Sequence, residues 1–174
     1  MPKNEREGNL MKQETMILKP IGIIHSPFTS PHGVPIQPTF AAGTEGRVEV
    51  FEEYIDGLKD LDGFERIWLL YWFHKSSPAR LIVKPYMDKV ERGLFATRAP
   101  SRPNPIGISA VRLLGIDGRF LRIADVDILD GTPLLDIKPY SPRFDHFDVS
   151  RHGWLEEAPG KPIADDRFSK GKSE

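Results

Sequence analysis

Proline and glycine break this chain into short pieces. There are 16 prolines and 15 glycines in 174 residues. Proline lacks a backbone donor and clashes with the preceding helical turn, and glycine weakens helix interiors. Long helices are therefore disfavoured, and the segments between the breaks carry strand character instead.

Gly46–Phe51 alternates, with Val48 and Val50 on one side and Arg47 and Glu49 on the other. Ile67–Phe73 is a continuous apolar and aromatic run, the pattern of a strand buried on both faces. Ile108–Ile116 and Phe120–Val126 flank Asp117-Gly118, a hairpin signal. Ile128–Ile137 carries Asp130-Gly131-Thr132-Pro133 as a turn or bulge. Met16–Ile24, interrupted by Pro20 and Gly22, reads as an edge or bent strand, and Arg80–Lys84 as a short one. Helical signal is confined to one or two turns at Glu53–Leu61 and a short turn opened by Pro85. The expected fold is all-β, a small closed or partly open barrel, or a sandwich, with short helical turns.

The chain divides into a polar leader (1–15) expected to be disordered, a folded body (16–157) and a charged tail (158–174) expected to be flexible. No apolar run approaches the roughly 18 residues of a membrane span. The leader lacks the apolar stretch of a secretory signal, so a cytoplasmic location is expected. Cysteine is absent, which removes disulfides, thiolate nucleophiles and sulfur-ligated zinc.

The formal net charge of -1 does not mark a nucleic-acid binder, but the charges are unevenly spread. Glu45–Glu65 is strongly acidic, whereas Arg80–Arg102 holds Arg80, Lys84, Lys89, Arg92, Arg98 and Arg102 against Asp88 and Glu91. Either one face is basic and another acidic, or both runs are solvated surface.

Phosphate-binding glycine loops, dinucleotide fingerprints, paired-histidine zinc helices and nucleophile elbows are all missing from the sequence. Asp145, His146, Asp148 and His152 are close enough in sequence to suggest a metal, but they read more simply as a solvated loop, and no metal is expected. Three features carry more chemistry. In Leu94–Gly107, Pro100, Pro103 and Pro105 stiffen a loop bearing Arg98, Arg102 and Asn104. Such a loop grips a carboxylate or phosphate at low entropic cost, or is a rigid surface connector. After Asp130-Gly131-Thr132-Pro133, the residues Asp136, Lys138 and Tyr140 share one face if extended. They suit proton transfer, or a surface ion pair beside an aromatic. His74-Lys75 leaves the aromatic run at a position that lines a site or simply marks the exit to water.

Together, Ile21–Pro27, Gly63–Trp68 running to His74, Leu94–Arg98 with Arg102-Pro-Asn-Pro-Ile-Gly107, and Asp130–Pro133 with Asp136–Tyr140 resemble the TsaA-like family. Its characterised members are TrmO-type transfer RNA methyltransferases. The resemblance covers about residues 18–142. It implies a β-barrel that binds S-adenosylmethionine (SAM), a homodimer with the cofactor near the subunit interface, and a tRNA substrate methylated on the exocyclic N6 of threonylcarbamoyladenosine beside the anticodon. It also implies cofactor contacts from Gln37, Pro38, His74, Lys75, Arg98, Ile108, Leu129, Asp130, Gly131 and Thr132. Asp136 is nominated as base, with Lys138 and Tyr140 as partners, and Arg102 and Asn104 are set on RNA or on the cofactor carboxylate. The alternatives are a methyltransferase of the same fold acting on another substrate, or a non-catalytic SAM- or RNA-binding barrel.

Overall fold

A computed structural model describes residues 15–158 and 163–170; the leader up to residue 14, and 159–162 and 171–174 of the tail, lie outside the described residues. Strands β1 (Gly22–His25), β2 (Glu45–Val50), β3 (Arg66–Trp72), β6 (Ile106–Asp117), β7 (Phe120–Ala124) and β8 (Thr132–Pro139) close into a barrel. Around the barrel the order is β1-β2-β7-β6-β3-β8, and every neighbouring pair is antiparallel. Two short strands, β4 (Ile82–Val83) and β5 (Arg92–Gly93), pair outside it.

Alternation builds the core. Ile24, Val48, Ile67, Leu69, Val111, Leu121, Ile123 and Leu134 are all fully buried inside the barrel. Their side chains fill a six-stranded interior, which is too narrow for a channel. The hairpin between β6 and β7 turns at Gly118, whose φ of 57° lies in the left-handed region.

Several expectations shift in detail. The run at β3 is not buried on both faces: Ile67, Leu69 and Tyr71 point in, while Trp68 and Leu70 are half-buried and Trp72 is 44% exposed. In an antiparallel barrel only one face of each strand reaches the core. The outward residues lie beside Ile106 and Ile108 of β6, giving an apolar strip on the barrel's outside. Of Met16–Ile24 only Gly22–Ile24 becomes strand, continued by His25, and Asp130-Gly131 precedes β8 instead of bulging it. The turn at Glu52–Leu58 is a 3-10 helix, and no helix forms over 85–92.

The tail also departs from expectation, because residues 163–170 are docked. The Ala164 amide donates to the Val34 carbonyl at 2.7 Å, and the Ser77 amide to the Phe168 carbonyl at 2.8 Å. Phe168 is buried with Val83, Leu94 and Ala99, edge-on to Tyr86. One large apolar side chain in a charged segment gives no periodicity to read, yet burying it offsets the ordering of its neighbours.

Beyond the end of β7, Asp125 is buried and accepts from the Gly43 amide (2.9 Å), Arg66 Nη2 (2.8 Å) and Arg112 Nε (3.0 Å). A contrasting cluster sits on the surface, where Glu49 meets Arg119 at 2.8 Å and His25 at 3.3 Å. Water screens these groups, so Glu49→Gln is expected to cost less than about 1 kcal/mol in urea unfolding.

Candidate active site

The chain between β3 and β6 folds over one end of the barrel. The loop at 31–37 and the C-terminal segment close the remaining sides, leaving a cavity of about 840 Å³. Its walls include Tyr71, Phe73, Ile108, Ile128, Leu129 and Trp154, with Gln37, His74, Lys75, Arg98, Arg102, Asp127 and Thr132 among the polar members. A mostly apolar cavity with a few converging polar groups is the usual form of a small-molecule site.

Local structure places Arg98. Leu94 opens a short 3-10 turn and is buried, as is Ala99, so the backbone on either side of Arg98 is anchored. Thr97 Oγ1 donates to the Leu94 carbonyl at 2.8 Å, and Arg102 Nη1 to the carbonyls of Thr97 (3.0 Å) and Ala99 (3.3 Å). Much of Arg102's guanidinium is thus spent in bracing the loop, although the residue still lines the cavity. Arg98 remains exposed at the mouth, where Nη1 donates to Gln37 Oε1.

His74 and Lys75 follow β3 directly. Burial, together with the charges of Lys75 and Lys170, holds the His74 imidazole below its ordinary pKa. Its ring is therefore neutral at pH 7. Lys170 Nζ donates to the His74 carbonyl at 2.8 Å, tying the C-terminal segment to the wall.

The Asp-Gly-Thr-Pro turn is fastened to β1. The Asp130 amide donates to the Phe28 carbonyl (2.8 Å), the Gly131 amide to the Ile24 carbonyl (2.9 Å), and the Ser26 amide to Asp130 Oδ1 (3.1 Å). Leu129 and the buried Thr132 face the cavity, whereas the Asp130 carboxylate turns toward His25 and Ser26. Pro38, Asp130, Gly131 and Asn104 lie off the wall.

The geometry adds a group that sequence reasoning missed. Tyr71 Oη lies 3.0 Å from Ser109 Oγ, and Ser109 Oγ donates to Asp127 Oδ1 at 2.6 Å. Since Ser109 gives its proton to Asp127, it accepts from the Tyr71 hydroxyl. Burial, then the nearby Asp127, pushes the Tyr71 phenol far above its ordinary pKa, so it stays a neutral donor. Burial pushes the Asp127 carboxyl up to about 6, with the Ser109 hydrogen bond opposing the rise. A Cβ at position 107 would come within 2.3 Å of the Tyr71 ring, so only glycine lets that ring lie against β6. The available signal was Asp127 itself, an acid between Val126 and Ile128 in an apolar stretch.

Asp136, Lys138 and Tyr140 stand elsewhere. Asp136 and Lys138 do share a face and pair at 2.7 Å, and Tyr140 packs on Trp68 at 5.6 Å between ring centroids. That face is the barrel's outside: a register shift after Leu134 sets Asp136 and Lys138 opposite the outward Leu70 and Trp68 of β3 and turns Ile137 toward the core instead. Four residues along a strand also set Asp136 about 13 Å beyond Thr132. Within one subunit these three are off the cavity wall.

The family model of the tRNA-methyltransferase O N-terminal domain matches residues 23–146. The chain belongs to this family. A protein of Pyrococcus abyssi described as a probable S-adenosyl-L-methionine-binding protein is 60% identical over 139 residues, covering 80% of this chain and 76% of that one. The tRNA (adenine(37)-N6)-methyltransferase of Escherichia coli is 33% identical over 154 residues, covering 83% and 66%. A crystal structure of TrmO from Pseudomonas aeruginosa superimposes with a TM-score of 0.68 at 38% identity, covering 81% of this chain and 63% of that one. The chain thus spans somewhat under two thirds of the crystallised TrmO. The TrmO-like barrel accounts for the strand order, and the TrmO-family match ends at residue 146, before the docked segment 163–170. Among the described residues no helix is long and apolar enough to cross a membrane, and no group of three or more His, Asp or Glu is placed to hold a metal ion.

Proposed function

We propose that this protein is a cytoplasmic SAM-dependent methyltransferase that modifies the exocyclic N6 of threonylcarbamoyladenosine beside the anticodon of tRNA. One observation carries the reading: Gln37, His74, Lys75, Arg98, Ile108, Leu129 and Thr132, far apart in sequence, line a single cavity. Family membership and the E. coli relative support it.

The residues present fit SAM. A cavity of about 840 Å³ admits a nucleoside with an amino-acid arm. Arg98, held by Gln37, suits the arm's carboxylate at the mouth, and a guanidinium binds carboxylate through two parallel hydrogen bonds. Ile108, Ile128 and Leu129 offer apolar surface to the base. When bound, SAM supplies an electrophilic methyl group. The protein's part is to align the acceptor nitrogen, exclude water and orient the donor.

Basic groups at the same end serve the RNA. Arg98, Arg102, Lys75 and Lys170 lie on or beside the cavity, and Asn104 lies on the same proline-braced loop. In this reading the protein is a homodimer. The outer apolar strip borders the cavity through Ile106 and Ile108, and a second subunit on it would bring an outer barrel face beside the mouth. Asp136, Lys138 and Tyr140 keep their proton-handling role only across such a dimer.

The test is transfer of a radiolabelled methyl group from SAM to total tRNA, followed by nucleoside analysis. Label on threonylcarbamoyladenosine, lost with tRNA that lacks the threonylcarbamoyl group, is expected. Label retained on such tRNA points to another substrate, and SAM binding with no transfer overturns the enzymatic reading.

A further inference from the structure

Asp125 is buried, and two residues on, Asp127 is half-buried on the cavity wall; the two are treated differently. Asp125 is matched by Arg66 and Arg112. Asp127 faces the cavity with neutral donors only: Ser109 Oγ at 2.6 Å and its own backbone amide. The positive charge of Arg98 acts on Asp127 only at a distance, and among the described residues no ion pair joins them. A carboxylate held out of water without a cation is costly, so folds normally pair it or leave it neutral. Here the chain instead builds a relay from Tyr71 through Ser109 that fixes the carboxylate on the wall, and reserves Gly107 so that Tyr71 can reach.

We propose that Asp127 is the counter-charge to the positive sulfur of the bound methyl donor, making the cavity selective for the charged donor over its neutral thioether product. The inference rests on the reading of the cavity as a SAM site. SAM carries two cations. Its α-ammonium lies one carbon from the carboxylate and is strongly hydrated, which suits the exposed mouth, where the carboxylate meets Arg98 and water can serve the ammonium. A sulfonium has no N–H to donate and needs only opposite charge nearby. Asp127, flanked by Tyr71, Gly107 and Ile128, provides that charge in a poorly hydrated wall, where a Coulomb attraction is least screened. Once the methyl group leaves, the sulfur is neutral and the attraction vanishes, which favours release of product.

The experiment is calorimetric titration of the wild type and Asp127→Asn with SAM and with S-adenosylhomocysteine, which differs only in lacking the methyl group and the charge. Wild type should bind SAM more tightly. The substitution should weaken SAM about tenfold or more and leave S-adenosylhomocysteine within about threefold, since only the ligand with a charged sulfur is attracted by a carboxylate on the wall. Equal weakening of both ligands, or of neither, overturns the proposal. Failure of the wild type to bind either ligand overturns the SAM reading itself, a distinguishable result. Folding is monitored by Tm. The Asp127 carboxyl has a raised pKa in the folded state, so its ionisation destabilises the fold as pH rises from about 4 to about 6. Asparagine removes that burden, and Tm at pH 7 should not fall. If it does, Asp127→Leu, with similar bulk and no charge, carries the same comparison.

Discussion

Asp125→Ala should destabilise the barrel by about 2–4 kcal/mol in chemical unfolding. Removing this carboxylate strands the Gly43 amide and leaves Arg66 and Arg112 side by side without their shared anion. Stranding a buried charge costs about 3–5 kcal/mol. These guanidiniums are 36% and 40% exposed and can turn toward water, which reduces that figure. Alanine adds a backbone penalty, because residue 125 has a φ of 66°, a region aspartate and asparagine tolerate better than alanine. Asp125→Asn, which retains an acceptor for Gly43 and the backbone preference, should cost clearly less. The pH dependence has a definite sign. Burial would raise this carboxyl's pKa, but the Gly43 amide and the two arginines outweigh it and hold the group below its ordinary value. Its contribution is therefore complete above about pH 4 and is lost as pH falls through the lower folded value. Acid unfolding of wild type should show this loss, and the alanine variant should lack that part of the slope.

Arg98→Ala should weaken SAM binding by about 10–150-fold, the range for losing a charge-assisted hydrogen-bonded partner. The loss should appear in calorimetry and carry through to kcat/KM in methyl transfer. Arg98→Lys should recover only part of it, because an ammonium lacks the planar pair of donors that a carboxylate accepts. The fold should be unaffected: Arg98 is exposed, while Leu94 and Ala99 anchor the loop without it. Retained affinity in Arg98→Ala with an unchanged Tm would remove the assignment.

Strand content was legible because alternation is local. Val48 and Val50 against Arg47 and Glu49 give inside and outside of β2 directly, and Asp117-Gly118 gives the hairpin. Closure of the barrel was open to reading only as a class, since pairing β1 with β8 joins segments about 110 residues apart, and no local pattern encodes that. The cavity residues were named largely through family resemblance, and Gln37, His74, Arg98 and Thr132 all line the one cavity. Asp136, Lys138 and Tyr140 show the limit of periodicity: it gives a shared face but not whether the face points at the cavity. Asp127 shows the converse, because its importance comes from Tyr71 and Ser109 on two other strands.

The docked segment follows every barrel strand in the chain. Synthesis runs from the N-terminus, so β1 through β8 are made before Ala164 and Phe168. The last wall of the cavity is therefore supplied by chain made after every strand of the barrel, so closing the strands and closing the cavity are separate tasks for the sequence.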